Sequence, residues 1–361
     1  MNLADMLSYA DIGQLTAIAG RYQCECKQNS KHDLIQSILI ATGSKEFMKE
    51  QIRGCSPRDL RFMNTLMFDE RNSFSLEDLL ATARQAYFDA PAESNNSYRE
   101  AVARFKNSGW IFNGSSQQTR FMYQVPQDLK KRFREHLGEH IKEKIIRSGE
   151  PDVYRDEGDL TLQDLMLMLQ YIRDNEPELN LEGALYKRVQ QGLMNALNIP
   201  EPLLVKGGWT FGYGRASQHY PPRLALLYDY ARHRRWIAEE GSRLKLTLTG
   251  NTVLDGGKSD SLMQLYSFWL RLYKGAIPNL PSLVYWISTC TWEWTTASSL
   301  DAAVGWLIKP FYYDDAGTVL EKRILGMMLH LGLLRIGETP GGLVVKATPW
   351  GMEAGNPRLQ Q

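Results

Sequence analysis

Apolar residues recur at helical spacing along most of this chain, and three times that period gives way to a pair of short alternating stretches. Up to residue 50, two helical patterns flank the extended piece QCECKQN. The first carries Leu7, Ile12, Leu15, Ile18 and Ala19; the second, after Ser30, carries Leu34, Ile35, Ile38 and Leu39. From Ser56 onward the start signals sharpen. Ser56 as N-cap and Pro57 at the first helical position predict a helix with Leu60, Met63 and Leu66 inward. Ser75 followed by Asp78 predicts a capping-box start for SLEDLLATARQAYF. SYREAVARFKNSG makes a third helix ending at Gly109, and WIFNGSSQQTRFMYQV reads as two strands around a Gly/Ser turn. The helix PQDLKKRFREHLGEHIKEKII leads away.

A second stretch follows the loop RSGEPDVYRDEGD. LTLQDLMLMLQYIRD and NLEGALYKRVQQGLMNAL, the latter with Asn180 as N-cap, predict two helices. RLALLYDYARHR predicts a third, running into the hairpin RWIAEEGSRLKLTLTG with Glu240, Gly241 and Ser242 at its turn. SRLKLTLTGNTVL then reads as an outer strand that ends in a Thr-Gly turn. The helical stretches DSLMQLYSFWLRLYKG and LPSLVYWISTC read as aromatic connectors. Beyond them, SLDAAVGWLIKPF and TVLEKRILGMMLHLG precede a third hairpin, LLRIGETPGGLVVKAT, with Pro340, Gly341 and Gly342 at its turn. PWGMEAG begins a terminal turn.

The three endings share one order: a helix, a strand beginning near Trp110, Trp236 or Leu333, a turn, and a strand closing at Val125, Leu248 or Ala347. Helices followed by a hairpin make the winged-helix order, in which the last helix faces the DNA groove and a basic wing touches phosphates. The candidate nucleic-acid contacts of the first unit are Arg99, Arg104, Lys106 and Arg120. Those of the second are Arg232, Arg234 and Arg235 after the third helix, and Arg243 and Lys245 in the wing. Arg215, in the aromatic loop WTFGYGRASQHY, has the surroundings of a single-strand stacking site, although Trp209, Phe211 and Tyr213 serve a core equally well. The third unit offers Lys322 and Arg323 beside Glu321, with Glu338 at its wing tip, and reads as a packing or protein-contact module.

Two stretches resemble known families. DIGQLTAIAGRYQCECKQNSKHDLIQSIL resembles the helix-extended-helix of SAP-type and Rho N-terminal-type modules through Leu15, Ile18, Ala19, Ser30, Lys31, Asp33, Leu34, Ile35 and Ile38. The resemblance implies that Lys31, at the start of the second helix, faces a nucleic-acid backbone; the Gly that usually precedes Ser-Lys is absent. A small helical protein-contact module is the alternative. The second resemblance covers roughly residues 160–351, through LMQLYSFWLRLY, RLKLTLTG and LHLGLLRIGETPGGLVVKATPWG. These segments are similar to bacterial helicase-associated proteins that share the N-terminal winged-helix region of XPB-type helicases, which implies an accessory part without a motor.

Composition narrows the chemistry. With 361 residues the chain holds several domains, and its net charge of +1 excludes a protein coated in positive potential. Cys24, Cys26, Cys55 and Cys290 make no paired framework, which suits a reducing cytoplasm, and the C-x-C pair lacks the second pair of a structural zinc site. The N-terminus lacks the features of a signal peptide, and ILGMMLHLGLL is shorter than the about 20 residues of a membrane span. LDGGKSDSL lacks the earlier Gly of a phosphate loop. His136 and His140 form an i,i+4 pair, but Glu139 sits beside the second His, unlike the zinc-protease H-E-x-x-H, and they read as a solvated face; RDEGD has no E-x-K partner for a nuclease centre.

The expectation is therefore a mainly α protein with small β-hairpins: a helix-extended-helix module over 1–52, winged-helix units over 53–148 and 155–255, and connector helices with a third winged helix over 256–361. It would be a non-catalytic DNA-binding adaptor without cofactor or metal, working with a helicase, a nuclease or a second copy. The alternative is a protein-interaction scaffold that uses the wings for dimerisation.

Overall fold

The computed structural model describes residues 1–89, 95–205, 214–256 and 260–355. The protein is mainly helical with a few small antiparallel strand pairs, and it divides into two compact units, Met1–Lys144 and Ile145–Gln361.

The first unit opens with four short helices where the apolar spacing predicts two: α1 (Leu3–Tyr9), α2 (Ile12–Arg21), α3 (Lys31–Gly43) and α4 (Lys45–Gly54). The breaks are made by caps. Asp11 accepts the Gln14 N–H at 2.7 Å and restarts the chain as α2, which leaves Ile12 exposed, and Ser44 does the same for Phe47 at 2.9 Å to begin α4. Leu15, Ile18, Leu34 and Ile38 are buried. Next come α5 (Pro57–Phe68), α6 (Leu76–Ala86) and α7 (Asn95–Asn107), then β1 (Phe112–Asn113), β2 (Tyr123–Gln124) and α8 (Gln127–Lys142). Leu60, Met63 and Leu66 are buried, and the Ser75–Asp78 capping box is present. His136, expected on a solvated face, is buried because α8 turns Leu129, Phe133, Leu137 and Ile141 into the same core face.

The second unit begins with β3 (Tyr154–Arg155), α9 (Leu160–Asn175), α10 (Lys187–Ala196) and α11 (Pro222–His233). Asn180 does not cap α10; its Oδ1 accepts the Glu182 and Ala184 N–H groups in a tight turn, and the helix starts at Lys187. A hairpin of β4 (Ile237–Glu240) and β5 (Arg243–Leu246) follows, and the chain goes directly into α12 (Leu248–Leu254). The outer strand thus ends earlier than the sequence pattern suggests. Helices α13 (Leu262–Tyr273) and α14 (Leu280–Cys290) lead to β6 (Thr295–Thr296), α15 (Ala297–Val304) and α16 (Ala316–Thr318). A π-helical stretch, Val319–Leu325, joins α16 to α17 (Gly326–His330). The chain closes with β7 (Leu334–Thr339), β8 (Gly342–Ala347) and α18 (Pro349–Ala354), a helix where a turn is expected.

One order occurs three times among the described residues: helix, short extended segment, two helices, hairpin, helix. In each case the extended segment pairs with the second hairpin strand: Phe74 with Tyr123, Glu178 with Arg243, and β6 with β8. Helix α14, expected as a connector, is by this order the first helix of the third repeat. The third helix of each repeat also ends alike. The N–H of Trp110, Trp236 and Leu333 returns to the carbonyl of Phe105, Ala231 and Met328, five residues back, across a left-handed residue: Gly109, Arg235 or Gly332. In the third repeat, β3 adds to the edge of β7, giving the strand order β3-β7-β8-β6.

Candidate nucleic-acid interface

The cations singled out in the sequence separate into two groups. In the second repeat they are committed to carboxylates. Arg232 pairs with Glu239, Arg234 with Asp260 at 2.6 Å, and Arg243 with Glu178 at 3.5 Å. Lys245 lies between Glu240 at 3.4 Å and Glu176 at 3.7 Å, and Arg215 reaches Glu239 at 4.0 Å. Of these second-repeat candidates, only Arg235 is exposed without an ion pair among the described residues. The sequence treats these residues as a basic cluster; the fold brings Glu240 of β4 together with Glu176 and Glu178 against the β5 cations, and Asp260 comes back onto Arg234. Apart from Arg234–Asp260, whose carboxylate is buried, each pair is part-exposed and therefore worth little to stability, but every pair lowers the positive potential available to a polyanion.

The first repeat is different. Arg104 is committed to Asp59 at 2.7 Å and touches the Tyr87 hydroxyl at 3.3 Å. Arg99, Lys106 and Arg120 make no ion pair among the described residues. Arg99 and Lys106 stand two turns apart on α7 and so share a face, while Arg120 lies in the hairpin excursion, its guanidinium 4.6 Å from the Phe121 ring centroid. Helix α2 covers the end of α7: Gln14 Nε2 reaches the Lys106 carbonyl at 3.5 Å, and Ile18 packs on Gly109. Lys31 is exposed in the first turn of α3, whose N-terminus is capped by Ser30 at 3.2 Å from the Asp33 N–H.

Sequence reasoning missed a buried ionic cluster in the second unit. The Arg223 guanidinium, fully buried, contacts Glu157 through Nη1 and Asp164 at 2.5 Å through Nη2. Glu157 also meets His330 Nδ1 at 2.9 Å. Glu201 accepts the first N–H groups of α11, from Arg223 and Leu224, at 3.1 and 3.0 Å. Burial alone would raise the Glu157 carboxyl, but the His330 hydrogen bond and the His330, Arg223 and Arg155 charges hold it below its ordinary value. The cluster joins α9, α11 and α17, elements of two different repeats. The only sequence signal was RDEGD, whose Asp156 pairs with Arg335 at 2.6 Å and whose Glu157 belongs to this cluster.

Among the described residues no group of His, Cys, Asp and Glu is arranged to hold a metal, and no helix is long and apolar enough to cross a membrane. Trp209, Phe211 and Tyr213 of the aromatic loop, and Gly257, Lys258 and Ser259 of LDGGKSDSL, lie outside the described residues. The chain matches no protein-family model, and no curated protein matches it.

Proposed function

We propose that this chain is a non-catalytic DNA-binding adaptor built from three winged-helix repeats, with its DNA contact in the first repeat. The threefold recurrence of helix, paired extended segment, two helices and hairpin carries this reading, because that order is the winged-helix order. The uncommitted cations select the repeat. Arg99, Lys106 and Arg120, with Lys31 in the same unit, are free to release counterions from phosphates, whereas the second repeat's cations are offset by Glu239, Asp260, Glu178 and Glu176. The resemblance to helicase-associated proteins supplies the partner class, a DNA-processing motor or nuclease. A mobility-shift titration tests the DNA half: binding should weaken steeply with salt and drop in the variant R99E/K106E/R120E, and absence of any shift at low salt refutes it.

The self-neutralised second repeat favours a second reading, a protein-interaction scaffold. That reading predicts a stable complex with a protein partner that is indifferent to the same triple reversal.

A further inference from the structure

The turn from Phe311 to Asp314 presents two tyrosines on a strained, closed backbone. Phe311 and Asp314 exchange both backbone hydrogen bonds at 2.9 Å, so Tyr312 and Tyr313 form the apex, 81 and 90 % exposed. Tyr312 has φ 51°, a left-handed conformation that Gly adopts freely and an aromatic residue does not. Arg323 holds Asp314 from below at 3.3 Å, and the Phe311 ring meets Tyr312 edge-on at 4.8 Å. An exposed strained aromatic contributes nothing to the core; strain of this kind accompanies binding roles, and a backbone already closed into a turn loses little freedom on docking.

The same unit carries a recess of matching chemistry. Tyr171, Tyr186 and Val189 line an open groove of about 560 Å³, together with Arg188. Its carboxylates Glu176 and Glu178 are engaged by Lys245 and Arg243, which leaves Arg188, without an ion pair among the described residues, as the uncommitted charge. A guanidinium pairs with a phenol face by cation–π attraction, and Asp315, exposed and two residues after Tyr313, supplies the opposite charge. Neither apical tyrosine lines the groove of its own chain.

We propose that the Tyr312–Tyr313 turn of one copy docks in the Tyr171, Tyr186 and Arg188 groove of a second copy of this chain, with Asp315 meeting Arg188. Aromatic side chains bury about 150–250 Å² each, so one such contact is far below the about 1,200 Å² of a stable interface. Self-association is therefore weak and reversible, and it strengthens when two copies exchange turns about a two-fold axis.

Sedimentation velocity of the full chain over a micromolar concentration series is the test. The wild type should show concentration-dependent association, and Y312G/Y313S and R188E should each weaken it about tenfold or more. An equimolar mixture of the two variants retains one intact turn and one intact groove, and should associate more strongly than either variant alone. Y312G should also raise the melting temperature by relieving the left-handed strain, which separates lost docking from lost folding. A wild type that stays monomeric across the series, association unchanged in both variants, or a mixture no better than its components would overturn the proposal. The outcome does not depend on DNA binding, which the mobility shift reads separately.

Discussion

Gly250 packs so closely against the carbonyl oxygen of Trp236 that a Cβ on it would stand well under 3.0 Å from that atom. Gly351 has the same relation to Leu333. Both glycines follow a threonine by three residues: Thr247 and Thr348 cap α12 and α18 by accepting the Gly250 and Gly351 N–H at 3.1 and 3.0 Å. The same hydroxyls reach back to the carbonyls of the left-handed residues, Arg235 at 2.6 Å and Gly332 at 2.7 Å. The Thr-x-x-Gly pattern thus fastens the start of the second and third hairpins to the helix that follows each.

G250A and G351A should each destabilise the protein by about 1–3 kcal/mol, because the obstructing atom is backbone and cannot rotate away. T247A and T348A should cost about 1–2 kcal/mol, with Ser substitutions retaining most of the cap. Urea denaturation followed by far-UV circular dichroism measures both; changes within about 0.5 kcal/mol would show that the fastening carries no stability.

Arg235 occupies the left-handed position that Gly109 and Gly332 hold in the other repeats, at φ 58°. R235G should therefore stabilise the chain by up to about 1 kcal/mol. If Arg235 contacts phosphate, the same variant should lower the salt slope of DNA binding by about one. A lower melting temperature would mean that the arginine makes a contact outweighing its backbone cost.

Removing one member of the buried cluster leaves opposite charges uncompensated. R223A should cost about 3–5 kcal/mol, more than an exposed-pair variant such as R243A, which removes the partner of Glu178 and should stay below about 1 kcal/mol. Comparable losses for the two would contradict the burial of the cluster.

Two carboxyls bend the pH profile in opposite directions. Glu157 is held below its ordinary value in the fold, so its contribution is present above pH 4.5 and is lost as the pH falls through the lower folded value. Asp229 is pushed up to about 6 by burial, against the Ala216 N–H and the Arg232 and Arg215 charges, so the fold binds its proton more tightly than the unfolded chain does. Its contribution diminishes as the pH rises from about 4 through 6, and D229N should flatten that part of the curve. Melting temperatures from pH 3 to 8 test both signs; an unchanged slope near pH 5 in D229N would contradict the second.

The helix starts at Ser56 and Ser75, the inward faces of α5 and the three hairpins were legible because capping residues and apolar periodicity act over a few residues. Other local features were misread for local reasons. Asn180 satisfies either a cap or a turn, and the long-range bond from the Leu179 N–H to the Ser242 carbonyl at 2.7 Å holds the segment where the local bonds close the turn. The charged α8 looked solvated because Lys, Arg and Glu are interleaved along it, while His136 takes its burial from packed neighbours.

By itself the sequence determined the mainly helical character, the recurring hairpins and the residues able to cap or turn, since these depend on propensity and on partners three or four positions away. Only the tertiary structure decided which cations are free and which are spent. Arg234 meets Asp260, Arg232 meets Glu239 and Arg223 meets Glu157 across separations of 26, 7 and 66 residues. Charge pairing acts over a few ångströms of space, so Arg99, Lys106 and Arg120 cannot be told from their neutralised counterparts until the chain has folded.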